Sequence, residues 1–186
     1  FAAFCLWQTP GMVTGKLSED EINQALAYVD KNLPLDGDKA DVLRRLRNWA
    51  LADDGQPVYM LNLMRYNARN QSFPGVPDVP GTPKEANKHY EDAAMPLLVK
   101  AGGAGSSYAG DVQGPNILTI GADPALDNWS RVLVIRYPSR RHFLQLLTDP
   151  AYLPIEPYKM ASLKLLLVPT SSDMIIPDYR LIVGAA

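Results

Sequence analysis

Pro57 to Arg65, PVYMLNLMR, is the stretch whose reading decides the fold. Val58, Met60, Leu61, Leu63 and Met64 make a short apolar run broken only by Tyr59 and Asn62, the pattern of a strand buried at the centre of a sheet. Asn62 is the odd residue. A buried carboxamide without a partner costs about 1–3 kcal/mol, so it either bonds to neighbouring backbone or faces a cleft, and the run alone leaves both readings open.

Working outward toward the C-terminus, Asn67 to Pro83 carries Pro74, Pro77, Pro80 and Pro83. A proline at every third residue excludes helix and central strand, so the segment reads as an extended surface loop. Thr82-Pro83-Lys84-Glu85 is a capping box with proline at the first helical position, and it predicts a helix. Ala86, Tyr90, Ala93, Leu97 and Ala101 are expected as its inward face, Pro96 as a kink, and Gly102-Gly103 as its end. Three strands are expected next, Ser106 to Val112, Asn116 to Gly121 and Ser130 to Tyr137, the first two forming a hairpin about Gly114-Pro115. Pro138-Ser139 opens a helix that breaks at Asp149-Pro150 and resumes from Ala151 to Ala161; Leu163 to Val168 is the last core strand.

Before Pro57, Ser18 to Glu21 is another capping box, followed by Ile22, Ala25, Leu26 and Val29 at helical spacing. A second helix places Val42, Leu43, Leu46, Trp49 and Ala50 on one face, with Arg44, Arg45 and Arg47 around the other, and closes at Asp53-Asp54-Gly55. The run FAAFCLW, Phe1 to Trp7, reads either as the end of a signal peptide or membrane anchor or as an ordinary N-terminal segment; seven residues are too few to cross a bilayer, which takes about 20. On the first reading the protein is membrane-associated or exported, on the second cytoplasmic.

The chain therefore divides into an apolar segment at 1–17, a helical extension at 18–56, a domain at 57–170 and a tail at 171–186. The domain's order is strand, helix, strand or hairpin, strand, helix, strand. That order predicts an α+β fold of the ferredoxin-like β-α-β-β-α-β type, four antiparallel strands with two helices on one face. The other face is bare, and an apolar bare face calls for self-association, sheet on sheet, or for a partner subunit.

Composition narrows the functional classes. In 186 residues, 47% hydrophobic and 20% charged, there is material for a conventional core. A net charge of −2, with no basic run longer than Arg44-Arg45 or Arg140-Arg141, argues against nucleic acid as a partner. One cysteine, Cys5, permits no internal disulfide or thiolate metal site, and two histidines, His89 and His142, leave little for zinc. There is no glycine-rich phosphate loop, no serine nucleophile elbow and no carboxylate cluster at metal spacing. No cofactor and no metal are expected.

The segments MLNLMRY, HYEDAAMPLLVKAGG, WSRVLVIRYPSRRHF and DPAYLPIEPYKMASL carry a resemblance. Together they resemble the uncharacterised family called domain of unknown function 1330, of the dimeric α/β barrel superfamily, over Pro57 to Val168. The Gly-Gly after the first domain helix and the Tyr-Pro-Ser before a helix with a downstream Asp-Pro-x-Tyr are its more specific parts. The long proline-rich loop, the two early helices and the tail lie outside the family pattern. The resemblance implies a dimeric barrel and, by analogy with relatives, a role for His89 as a general base or haem ligand. The apolar inward positions of its helix argue against haem.

The candidate site is a cleft between sheet and helices, onto which Asn62, Arg65, Tyr108, Arg136 and Tyr152 are expected to converge as ligand-binding residues, with His89 as the catalytic candidate. Their alternative role is as rim residues at strand ends. His142, beside Arg140 and Arg141, reads as part of a solvated basic patch, and Glu156 with Lys159 as a surface ion pair. Two functions follow. One is a metal-free enzyme or binder acting on small carbonyl or phenolic compounds; the other is a non-catalytic accessory or assembly subunit of a larger complex, membrane-bound if the anchor reading of Phe1 to Trp7 holds.

Overall fold

The structure, a computed structural model, describes residues 6, 11–33, 39–73, 76–102, 105–121, 123 and 128–172. The reading of Phe1 to Trp7 as an anchor and the tail at 171–186 lie outside the described residues, Leu6 and the first two tail residues apart. Four strands, β1 (Val58–Tyr66), β2 (Gly105–Asp111), β3 (Arg131–Tyr137) and β4 (Leu163–Thr170), form one sheet in the order β2-β3-β1-β4. Every neighbouring pair is antiparallel. Five helices accompany the sheet among the described residues: α1 (Glu19–Asn32), α2 (Lys39–Leu51), α3 (Pro83–Lys100), α4 (Arg140–Thr148) and α5 (Glu156–Ser162). A single helical turn at Gly11–Thr14 and a 3-10 turn at Pro150–Tyr152 complete the list. No helix among the described residues is long and apolar enough to cross a membrane.

The apolar run does become the central strand. In β1 the residues Val58, Met60, Asn62 and Met64 are buried, and they are the set that a period of two sends to one face. Asn62 stands opposite Leu133 on one side and Leu167 on the other, so the carboxamide sits in the middle of the sheet.

Both capping boxes form as the spacing predicts. Ser18 caps α1 with Glu21, and Thr82 caps α3 with Glu85 and with Pro83 in the first turn. The inward ridge of α3 differs from expectation: Ala86, Tyr90, Ala94 and Leu98 are buried, while Ala93 and Leu97 are half-buried. A strict four-residue ridge runs down the helix, which continues through Pro96. Helix α3 ends at Lys100; two residues on, Gly102 has a φ of +87°, which suits glycine, and the ring of His142 fills the space a Cβ would need.

Asn116 to Gly121 forms no strand, a correction to the expected hairpin. Strand β2 pairs directly with β3 instead, with a register shift between Ser106 and Tyr108. Ile117, Leu118 and Ile120 of that segment are exposed.

The expected solvated basic patch at the start of α4 is likewise overturned. Arg140 donates to the Trp49 carbonyl, lies 5.3 Å from the Trp49 ring centre and sits 3.8 Å from the buried Asp53 carboxylate. Arg141 donates to the Lys16 carbonyl at 3.0 Å and pairs with Glu21. These arginines tie α1 and α2 to the domain. Behind them Trp49 meets Phe143 edge-on at 5.4 Å, and Ile22, Val29, Leu33 and Ala50 join Val58, Met60 and Phe143 in one hydrophobic cluster. The exception on α2 is Val42, which is exposed.

Candidate functional site

Between the inner face of the sheet and helices α3 to α5 lies a cavity of about 200 Å3. Its wall is largely apolar, with Met60, Ala94, Leu98, Leu133, Ile135 and Phe143 among the lining residues. Met95 and Leu167 also line it and are exposed, so it reaches the surface there. A larger groove of about 580 Å3 runs between Lys31–Leu33, Val76–Val79 and Leu153–Tyr158. Leu33 is the single buried residue in that lining, and no buried polar group faces it, so the smaller cavity is the candidate site.

Polar groups enter the cavity from three elements. From β1, Asn62 donates to the Met60 carbonyl at 3.0 Å and to the Leu133 carbonyl at 3.3 Å, while its Oδ1 accepts from Lys159 Nζ at 3.3 Å. Both sequence readings of Asn62 hold at once. From α5, Lys159 presents its ammonium 5.1 Å from the centre of the Tyr90 ring, a cation over an aromatic face. From α3 and the 3-10 turn, the hydroxyls of Tyr90 and Tyr152 meet at 3.2 Å. Tyr137 lines the cavity too, and burial holds the hydroxyls of Tyr137 and Tyr152 in the neutral form well above the usual range, with Tyr90 adding to both.

Glu91 and Arg131 also line the cavity. They form a two-point pair, Arg131 Nε to Glu91 Oε1 at 2.9 Å and Arg131 Nη2 to Glu91 Oε2 at 2.9 Å, and Asp111 accepts from Nη1 at 2.8 Å. That cation is saturated. Lys159 is different: among the described residues no carboxylate lies within 4 Å of it.

The expected surface pair of Glu156 and Lys159 is corrected on both members. Glu156 is buried at 4% exposure, its Oε2 has no hydrogen-bond partner among the described residues, and burial pushes its carboxyl up to about 7 against the opposing pull of Lys159. Helix α5 packs on α3, which turns the face carrying Glu156 inward.

Of the expected site residues, Asn62 and Tyr152 line the cavity. Arg65, Tyr108 and Arg136 do not. Alternation puts them on the outer face of the sheet: Arg65 stands opposite Lys164 and 6.0 Å from the Trp129 ring, Tyr108 is 59% exposed, and Arg136 stands opposite Tyr59. His89 is exposed on α3, its ring 4.3 Å from that of Tyr158, and it does not line the cavity. His142 is buried, with Nδ1 2.8 Å from the Ser139 hydroxyl, and burial with Arg141 nearby lowers its pKa. Lys159, Tyr90 and Tyr137 are the site residues that the sequence reading missed. No local signal marked the lysine, because its helix is only seven residues long. No group of three or more potential metal ligands occurs among the described residues.

The sequence matches no protein-family model and no curated protein. Among solved structures it is similar to a protein of unknown function from Rhodopseudomonas palustris, with 24% identity and a TM-score of 0.56, covering 74% of this chain and 94% of that one. The methylated form of that protein is similar at 24% identity and a TM-score of 0.55, covering 72% and 92%. The likeness is one of fold: a mixed α+β protein with a four-stranded antiparallel sheet.

Proposed function

We propose that the chain is a metal-free binder or enzyme of the ferredoxin-like, dimeric α/β barrel type, and that its cavity takes a small carbonyl or phenolic compound. The strand order and the resemblance to domain of unknown function 1330 support the fold assignment. One observation carries the functional reading: Lys159 and Asn62 meet at the wall of a largely apolar cavity that also holds the Tyr90–Tyr152 hydroxyl pair. An apolar cavity of about 150 Å3 is enough for benzene, so one of about 200 Å3 suits a single ring with a short oxygen-bearing substituent. The polar groups supply donors for that oxygen. The apolar outer face of the sheet, with Leu61, Leu63, Val132, Val134, Leu166 and Val168, supports self-association.

The test is ligand-induced stabilisation. Monocyclic ketones, aldehydes and phenols at millimolar concentration raise the melting temperature of the wild type and not that of Ala94→Leu, which fills the cavity. A panel that shifts neither protein removes this reading. The accessory-subunit reading is favoured by exposed Ile117, Leu118 and Ile120. On that reading, serine at all three positions releases the protein from its complex while the melting temperature holds.

A further inference from the structure

We propose that the ligand is a small cyclic carboxylate, of about the size of benzoate, whose carboxylate pairs with Lys159 and accepts from the Tyr90–Tyr152 hydroxyl pair, and that Glu156 competes with it for the lysine's charge. The proposal deepens the small-molecule reading of the same cavity and rests on it.

The argument starts from the two cations in the wall. Arg131 is neutralised by Glu91 and Asp111 and has nothing further to offer. Lys159 points into the cavity with only a neutral carboxamide at 3.3 Å and an aromatic face at 5.1 Å. An ammonium with no carboxylate within 4 Å among the described residues is a counter-ion site for an incoming anion, and a charged acceptor gains more from it than a neutral one. The hydroxyls of Tyr90 and Tyr152 share one hydrogen bond at 3.2 Å. Only one proton is used in that bond, so the other hydroxyl proton is free to be donated to a carboxylate oxygen. Burial keeps Tyr152 in its neutral form, so it does not repel an anion.

Glu156 gives the site its pH dependence. It lies three residues before Lys159 on α5, is buried, and has one oxygen without a partner among the described residues. The ionisable groups that act on it are Lys159 on its own helix and Tyr152 on the preceding turn; His89, on α3, is exposed and stacked on Tyr158. Glu91 and Arg131 compensate each other. With its carboxyl pushed up to about 7, Glu156 is neutral in mildly acidic solution and leaves the ammonium to the ligand. Above that pH it is a second anion acting on the same ammonium. Carboxylate affinity therefore falls as the pH rises through neutrality, and binding takes up protons near pH 7.

Calorimetric titration of the full chain with benzoate, benzamide and benzyl alcohol, at pH 6 and pH 8, tests this. Benzoate is expected to bind about tenfold more tightly than benzamide at pH 6. The preference shrinks several-fold at pH 8, and Glu156→Gln abolishes that shrinkage. Lys159→Met or, if that variant does not fold, Lys159→Gln brings benzoate to the level of benzamide. If the neutral compounds bind as tightly as benzoate in the wild type, the carboxylate assignment is wrong and the small-molecule reading stands. If none of the three binds at millimolar concentration, both fail. A benzoate preference that survives in both lysine variants also overturns the assignment.

Discussion

The two faces of the sheet are made by the same strands and the same alternating residues, yet they solve opposite problems. On the inner face, β1 contributes Val58, Met60, Asn62 and Met64, all buried under helices. On the outer face it contributes Leu61, Leu63 and Arg65, half-buried, beside Leu166 and Val168 of β4, which are 42% and 40% exposed. Apolar content does not distinguish the two. What distinguishes them is where polar groups are placed: inside they are few and aimed at a cavity, outside they stand at the ends of the strands. The cavity is thus a local exception in a packed layer, and the outer face is an unfinished layer.

The comparison breaks most visibly through the core. Met64 and Ile22 are each 1% exposed, one on β1 and one on α1. Truncating either to alanine is expected to cost about 2–5 kcal/mol in denaturant unfolding. Leu63→Ala, one residue along the same strand but on the outer face, is expected to cost clearly less in the monomer. Equal losses at Met64 and Leu63 mean that the outer face is packed as tightly as the inner one. The Ile22 result has a second use, because it reports whether α1 belongs to the same cooperative unit as the sheet.

Helix α5 carries one titrating group whose ionisation opposes folding. Glu156 has its carboxyl raised by burial to about 7, while in the unfolded chain it ionises near 4.5. Between those values the folded protein binds more protons than the unfolded one, so stability falls as pH rises from about 4.5 to 7 and is constant above. Glu156→Gln removes this dependence. It is expected to stabilise the protein by up to about 3 kcal/mol at pH 8 and to change little at pH 4.5. Urea unfolding at the two pH values checks it, and an equal effect at both shows that Glu156 is not held in its neutral form.

How much of this was legible follows from what each signal encodes. The strand at Pro57 to Arg65 and both capping boxes are local patterns, and local hydrogen bonding and periodicity fix them wherever the chain goes. The parity of β1 was legible as well: once Met60 and Met64 are inside, Asn62 is inside and Arg65 is outside. Applied to β3, the same rule removes Arg136 from the cleft. Lys159 and Glu156 escaped because helix α5 is only seven residues long, and its buried face is set by its packing on α3. The basic patch at Arg140, Arg141 and His142 failed for a related reason. Its partners Trp49, Asp53, Glu21 and Lys16 are about 90 to 125 residues away in sequence, and no local rule pairs them.

The outer face offers the smallest effect on stability and the sharpest on assembly. Val134, opposite Leu61, and Val168, on the other side of Leu61, lie near the middle of that face. An apolar sheet face of this kind is covered most simply by a second copy of itself, because a two-fold axis pairs each residue's neighbourhood with the same chemistry. Val168 is already 40% exposed, so Val168→Lys is expected to change the stability of the monomer by less than about 0.5 kcal/mol. In a dimer built on this face the same substitution buries two lysines against each other, and the long charged stems cannot both reach water. Sedimentation of the wild type is therefore expected to give twice the chain mass, and Val168→Lys to give the mass of one chain with an unchanged melting profile at low protein concentration. A wild type that sediments as a monomer at every concentration leaves the outer face to a different partner, and a dimer that survives Val168→Lys places the interface elsewhere on the molecule.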